Sequence, residues 1–392
     1  MNPLNAIESN SNPFPIYAQM RQDKPVYYDR DRGTWNVFCY DDVQRVLSEN
    51  AVFSSQFAGG RSGSEGGGPF AASMISTDPP RHRQLRGLVT QAFTPRAVDA
   101  LAPRITEIVH EHLDRVMQAG EMDVIRDLGY PLPVTVIAEL MGIPAEDRER
   151  FKRWSDRVVS LADMGDEVDP QNFHSDDIME MSMYFFNMLE ERRKNPRDDF
   201  LTGLLQASLE GETLSEMELL GFCALLLVAG NETTTNLIGN GMLAFTENPQ
   251  AWQRLRDHPD QVPQAIEEVL RYRSPVQAMF RVAKVDANVA GVEIPANAPM
   301  VAWIGAANHD EDQFANAETF DIGRSPNRHL GFGQGIHYCL GAPLARLEAR
   351  IAFEEMTRRF ASVSRADDAT LQRMPSLIIF GLKQLPVRFE PA

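Results

Sequence analysis

The residues best suited to chemistry lie between His329 and Arg350, with Cys339 at their centre. Several glycines precede the cysteine and allow a tight loop whose backbone can approach a flat partner closely. A proline, alanines and leucines follow and favour a helix that starts just after it. Because a helix N-terminus and inward-facing amides stabilise a thiolate, the pattern predicts that Cys339 is a soft, anionic, single ligand.

Two other interpretations of this stretch follow from the residues alone. A lone cysteine is often a small buried hydrophobic residue. A glycine loop ahead of a helix can also bind phosphate. The glycine spacing here lacks the Lys-Ser or Lys-Thr ending of a phosphate-binding loop, and no strand plainly leads into it, which argues against phosphate.

The composition excludes several classes of function. A hydrophobic fraction of 43% supports a sizeable globular core, whereas a net charge of -17 argues against nucleic acids and anionic membrane surfaces. Three irregularly spaced cysteines provide neither a disulfide framework nor a paired-cysteine zinc site. We find no signal peptide pattern, and the longest apolar run, 219–230, is too short to span a bilayer. We therefore expect a cytoplasmic protein without a membrane anchor.

Helical periodicity dominates the chain, and short strand patterns occur near both ends. The predicted fold class is mainly α (α+β), as one domain over 1–392. Its β-rich parts are 20–40, 281–304 and 376–390, and 376–389 is predicted to form a hairpin. The glycine-rich segment 53–74 suits either a surface linker or a mobile lid.

One long buried helix is predicted over 214–248, and polar residues interrupt its apolar centre at 229–235. Glycine inside a helix costs about 1 kcal/mol relative to alanine, and β-branched threonines are weak helix formers. Such a conflict between local sequence and overall pattern often marks a functional site. The threonine hydroxyls could instead simply bond to carbonyls one turn earlier.

The run FGQGIHYCLG at 332–341 resembles the haem-binding loop of cytochromes P450, and the similarity extends in family order over nearly the whole chain. Among relatives it is most similar to the soluble bacterial class. The resemblance implies a single P450 fold, with haem b between the long central helix and the helix after the cysteine. It also implies a haem-thiolate monooxygenase, because thiolate ligation favours cleavage of the O–O bond.

The resemblance also assigns roles to particular residues. Cys339 becomes the iron ligand, Glu232 the acid and Thr233 the alcohol that deliver protons, with Gly230 opening the helix. A buried charge network is assigned to Glu268, Arg271 and Arg324, which lock the loop rather than catalyse. The residues assigned to the haem propionates are His82, Arg86, Arg281 and His337. The remaining haem contacts are Phe332, Gly341 and Ala229.

The substrate is expected to be a medium-sized apolar molecule such as a terpenoid, steroid or fatty acid, because the family positions of its contacts hold apolar residues here. The same residues could be ordinary core. The segment 154–164 and Ala72 belong to the same expected lining. The assigned contacts are Met74, Leu225, Ala229, Thr233, Val276, Met279, Ile379 and Phe380.

A chain of 392 residues leaves no room for a flavin, iron-sulfur or nicotinamide module beside this fold. Electrons are therefore expected from a separate ferredoxin or flavodoxin with its reductase, delivered to a monomer. A basic patch could steer that partner, although the same arginines could be scattered and solvated. They are Arg81, Arg83, Arg96, Arg346 and Arg350.

Two other functions are alternatives to the monooxygenase. A peroxygenase driven by hydrogen peroxide would not need the proton delivery assigned to Glu232 and Thr233. A haem-based gas or redox sensor would normally need an output domain, and no part of the chain is left to form one.

Overall fold

The computed structural model describes residues 2–9, 12–56, 73–163, 176–366, 371–374 and 376–392. The first eight helices are α1 (Pro3–Ser9), α2 (Phe14–Asp23), α3 (Tyr40–Ser48), α4 (Arg81–Ala92), α5 (Pro95–Asp99), α6 (Ala102–Val116), α7 (Pro131–Leu140) and α8 (Arg148–Asp163). The others are α9 (Asp176–Lys194), α10 (Phe200–Gln206), α11 (Glu216–Ala229), α12 (Glu232–Glu247), α13 (Pro249–Asp257), α14 (Val262–Tyr272), α15 (Ile304–Ala307) and α16 (Ala342–Arg359). The strands are β1 (Val26–Asp29), β2 (Thr34–Val37), β3 (Phe53–Ser54), β4 (Glu121–Asp123), β5 (Met279–Ala283), β6 (Ala287–Val289), β7 (Val292–Ile294), β8 (Pro299–Ala302), β9 (Phe360–Arg365) and β10 (Pro386–Pro391).

The chain divides into two compact units. The first comprises Met1–Ser54, Ala102–Leu132 and Thr233–Ala392, and the second comprises Ser55–Leu101 and Pro133–Glu232. Helices predominate in the described residues and the sheets are small, so the predicted mainly α (α+β) class is confirmed. The prediction of one domain over 1–392 stays a prediction.

The main sheet of the first unit has the strand order β1-β2-β8-β5-β3. The β-rich part predicted over 20–40 forms a hairpin, in which β1 pairs antiparallel with β2 from Val26 opposite Val37 to Asp29 opposite Thr34. Strand β8 then pairs parallel to β2 and antiparallel to β5. This order places β5, which carries Arg281, inside the sheet rather than at an edge.

The predicted C-terminal hairpin at 376–389 is only partly formed. Residues 381–383 fold back on 372–374, where Arg373 and Leu382 form an isolated antiparallel bridge. Strand β10 pairs with β9 and β4, and the rings of Phe360 and Phe389 stack at 3.9 Å. The segment before β10 pairs with residues just ahead of β5, where Val276 and Ile379 form an isolated bridge. Long-range apolar pairing therefore decides the arrangement, which local turn signals could not reveal.

The second unit is helical, with α4 against α10 and α8 against α9 and α11. The single long helix predicted over 214–248 is instead two helices, α11 and α12, separated at Gly230 and Asn231. A serine caps α11, because Ser215 and Glu218 form a reciprocal capping box. Among the described residues, we find no helix with the length and apolar character needed to cross a membrane.

Candidate active site

The loop that carries Cys339 has the predicted form. Helix α16 begins at Ala342, three residues after the cysteine, with Pro343 in its first turn. The backbone N–H of Cys339 donates to the carbonyl of Phe332 at 2.9 Å, which closes the loop across its glycines. Gly335 has a φ of +71°, and a Cβ there would lie 2.8 Å from the Cα of Ser48. Only glycine allows this backbone to pack so closely against α3.

A network of buried charges supports the loop from α14. Glu268 and Arg271 are both 0% exposed, and the Arg271 guanidinium donates two bonds of 2.8 Å to the carboxylate. Arg324 donates to the same carboxylate at 3.2 Å. Arg271 also binds the carbonyl of Asn308, whose side-chain oxygen accepts the N–H of Leu330 in the loop. The structure therefore brings together all three residues that the sequence assigned to this network.

Sequence reasoning did not single out Glu267, the residue before Glu268. Its carboxylate accepts bonds of 2.7 and 2.8 Å from Arg346, and it lies 3.0 Å from Nε2 of His329. Burial opposes ionisation, but hydrogen bonds from Arg346 and His329 outweigh it and hold the pKa of Glu267 at about 2. The signal available in the sequence was the consecutive pair of glutamates, only one of which can point into the core.

The polar interruption of the central helix is a true break. At Gly230 a Cβ would lie 2.7 Å from the Cδ1 of Ile137, so α7 occupies the space that another residue would need. The buried Asn231 donates to the hydroxyl of Ser155 at 3.0 Å, and that hydroxyl lies 3.5 Å from the carbonyl of Leu227. Ser155 thus links Asn231, within the break, to α11. Glu232 starts α12 immediately after it.

The first turn of α12 holds the residues assigned to proton delivery. Glu232 is its first residue, and both Glu232 and Thr233 are half-buried, unlike the buried residues that follow. On α11, the expected haem contact Ala229 is exposed, and the expected substrate contact Leu225 is half-buried. The helix predicted to be buried is therefore partly exposed at Leu225, Ala229, Glu232 and Thr233.

The second unit carries two of the expected propionate donors on α4. His82 is buried and Arg86 is half-buried one turn later. Burial and then the charge of Arg86 lower the pKa of His82, while Asp78 opposes them. Asp78 lies ahead of α4, and its carboxylate accepts the N–H of Ser55 at 3.0 Å.

The first unit carries the other two donors. Arg281 lies on β5 and is 4% exposed, whereas His337 ends a short turn just before Cys339. Arg281 donates to the carbonyl of Phe280 at 2.8 Å. A soft sulfur ligand with nitrogen donors, of which His82 and Arg281 are buried, suits a haem with two propionates, so the donor chemistry of the described residues fits that group.

The expected substrate contacts fall into different environments. Val276 and Ile379 are paired and half-buried, and Met279 begins β5 nearby in sequence. Phe380 is a core residue, because it is buried in a cluster with the ring of Phe14 5.6 Å away. Met74 is half-buried at the start of a short turn. Residues 57–72, including Ala72, and Met164 lie outside the described residues.

The arginines expected to form a basic patch are partly neutralised. Arg81 is paired with Glu218 at 2.6 Å, and Arg346 with Glu267 at 2.7 Å. Arg350 lies 3.3 Å from Glu354. In each of these pairs the glutamate offsets the charge of the arginine. The other two arginines of the expected patch, Arg83 and Arg96, are exposed.

A model of the family described as "Cytochrome P450" matches residues 16–390. The chain belongs to the cytochrome P450 family. It is 45% identical to Cytochrome P450 109 of Bacillus spizizenii, over 99% of this chain and 94% of that protein. It is 39% identical to erythromycin C-12 hydroxylase of Saccharopolyspora erythraea, over 94% of this chain and 92% of the hydroxylase. The crystal structure of CYP109E1 from Bacillus megaterium with testosterone has a TM-score of 0.86 at 42% identity, covering 96% of this chain and 99% of that one.

Membership confirms the resemblance noted in the sequence. P450 proteins bind haem b, and the family's enzymes are haem-thiolate monooxygenases. The relatives that match are bacterial P450s. Membership of the family therefore establishes the cofactor and the class of reaction.

Proposed function

We propose that this P450 hydroxylates medium-sized apolar molecules, of the terpenoid, steroid or fatty acid class. The observation that carries the proposal is the apolar pair formed by Val276 and Ile379, with Met279 three residues after Val276 in the chain. It is supported by the related CYP109E1 structures, which are complexes with testosterone and corticosterone. Apolar walls with few polar groups bind ligands of this kind. We retain Ile379 rather than the core residue Phe380 as the contact on its segment.

Each residue of the site has a proposed task. Cys339 holds the haem iron through its thiolate, and His82, Arg86, Arg281 and His337 bind the propionates. The contacts proposed with the haem surface are Phe332, Gly341 and Ala229. The bound haem supplies the activation of dioxygen for insertion of one oxygen atom into a C–H bond.

Proton delivery falls to the first turn of α12. Because Glu232 is half-buried, its carboxyl group can exchange protons with water, and the hydroxyl of the adjacent Thr233 can pass a proton on by hydrogen bonding.

Met74 and Leu225 are further proposed substrate contacts. Electrons come from a separate ferredoxin or flavodoxin with its reductase, to a monomeric cytoplasmic enzyme.

The substrate proposal is tested by titrating the haem-loaded protein with testosterone, a monoterpene, a medium-chain fatty acid and a small charged acid. We expect spin-state shifts with apolar compounds, and hydroxylated products when ferredoxin, its reductase and NADPH are added. Response to the small charged acid alone would contradict the proposal. Product formation with hydrogen peroxide but not with the electron-transfer proteins would indicate a peroxygenase instead.

The site is tested by two substitutions. The reduced carbon monoxide complex should lose its strongly red-shifted Soret band in Cys339→Ala, and persistence of that band would remove Cys339 as the ligand. Thr233→Ala should keep haem and substrate binding but divert reducing equivalents to peroxide. Unchanged coupling of NADPH consumption to product would rule out its role in proton delivery.

A further inference from the structure

The carboxylate of Glu267 joins the two sides of the cysteine loop, residues 329–341. His329, at the start of the loop, faces the carboxylate through Nε2, since its Nδ1 accepts the N–H of Gly331 at 3.1 Å. Arg346, in α16 after the loop, donates two bonds to the same carboxylate. One side chain from α14 therefore fixes residues on both sides of Cys339.

Arg346 carries this constraint towards the sulfur. Its guanidinium lies 4.5 Å from the centre of the Phe332 ring, and it donates to the hydroxyl of Tyr338 at 3.1 Å. Phe332 is the residue whose carbonyl accepts the N–H of Cys339. The guanidinium thus contacts the ring of the residue bonded to Cys339 and the side chain of the residue before it.

We infer that Glu267 is a positioning residue for the Cys339 thiolate, acting through Arg346 and His329. The inference rests on the proposed role of Cys339 as the haem ligand. Without the negative charge, Arg346 loses its fixed bidentate partner, and its 35% exposed side chain can turn to solvent. The loop then gains freedom, and water can donate hydrogen bonds to the sulfur, which weakens electron donation to the iron.

The position of Glu267 separates this role from support of the fold. Its side chain is 29% exposed, whereas that of Glu268 is 0% exposed. The partly exposed pair of Glu267 and Arg346 can be lost while the buried network of Glu268 stays in place. Glu267→Gln should therefore fold, and its effect should appear in the properties of the bound haem.

The experiment compares haem-loaded wild type with Glu267→Gln, Arg346→Gln, the double variant and Glu354→Gln. Glu354 is the matched control, because it pairs with Arg350 on α16 but is not bonded to the loop. The readouts are haem transfer to apomyoglobin, the reduction potential with a chemical reductant, and unfolding followed by far-ultraviolet circular dichroism.

We expect Glu267→Gln to lose haem about 10-fold faster and to shift the reduction potential upwards, as removal of support around a metal ligand typically does. Glu354→Gln should match the wild type. The double variant should be no worse than the more affected single variant, because both substitutions break the same clamp.

Equal haem loss and equal potential in Glu267→Gln and Glu354→Gln would overturn the inference. A parallel fall in unfolding midpoint and haem retention would also overturn it, since it would show a structural role alone. Cys339→Ala separates an error in the proposed haem ligand from an error in the role of Glu267. If the red-shifted Soret band persists in Cys339→Ala, the proposed ligand is wrong; if it disappears while Glu267→Gln behaves as wild type, only the role of Glu267 is wrong.

Discussion

Replacing Glu348 with glutamine should stabilise the protein at neutral pH. Glu348 lies on α16 and is 0% exposed, and neither carboxyl oxygen has a hydrogen-bond partner among the described residues. Burial raises the pKa of Glu348 well above its ordinary value. The folded protein must therefore hold a proton on this group at pH values where the unfolded chain releases it.

The sign and size of the effect follow from this difference. Because the folded-state pKa is the higher one, the stability contributed by the bound proton is complete below about pH 4 and falls as the pH rises. Each pH unit above about 4.3 costs about 1.4 kcal/mol until the raised pKa is reached, which sets a ceiling of about 4 kcal/mol at pH 7. Glutamine has nearly the same shape and no proton to hold. Its advantage should therefore grow with pH.

The assay is urea unfolding of the haem-loaded protein between pH 5.5 and 8.5, followed by circular dichroism. Glu355→Gln is the control on the same helix, because Glu355 is nearly buried but is paired with His110 and Arg359. That substitution should destabilise modestly, since it removes the carboxylate charge that faces Arg359. A constant difference between wild type and Glu348→Gln across the pH range, or destabilisation by Glu348→Gln at pH 7, would refute the reasoning.

Substitutions at three further residues test the helix break and the charge network. Ser155→Ala should lower the coupling of NADPH consumption to product while Ser155→Thr retains it, because the Ser155 hydroxyl links Asn231 to α11; equal coupling in both would contradict this role. Gly230→Ala should destabilise the protein by about 1–3 kcal/mol in urea unfolding, because its Cβ meets Ile137; an unchanged midpoint would show that α7 yields. Arg271→Leu should cost about 3–5 kcal/mol by removing the bidentate partner of buried Glu268, and a smaller loss would show that Arg324 suffices for that carboxylate.

The sequence predicted those parts of the site whose geometry is local. Glycines around Cys339 and a proline just after it indicate a loop before a helix, and the structure has both. The pairing of Glu268 with Arg271 follows from their spacing on one helix. Residues 229–235 were expected to be an opening in one helix, whereas the chain forms two. The full break depends on Ile137 and Ser155, which are distant in sequence, so a local pattern could not predict it.

Other features depend on packing between distant segments. Ile379 and Phe380 are adjacent and both apolar, yet one forms a bridge with Val276 and the other lies in a core with Phe14. An alternation of sides along an extended segment makes this split, but the register that decides it comes from the partner strand. The buried position of Glu348 is hidden for the same reason, because a glutamate on a helix is ordinarily solvated.

The consecutive residues Glu267 and Glu268 show how one helix can serve two needs of a thiolate loop. Successive residues on a helix point about 100° apart, so one carboxylate enters the core while its neighbour reaches the loop surface. The buried one neutralises Arg271, whose other donors bind backbone carbonyls and hold the fold under the loop. The half-buried one binds Arg346 and His329, whose positions depend on the loop itself. Because the network around Glu268 is rigid, the bonds of Glu267 can set the position of the loop relative to α14, and loss of either glutamate should produce a different defect.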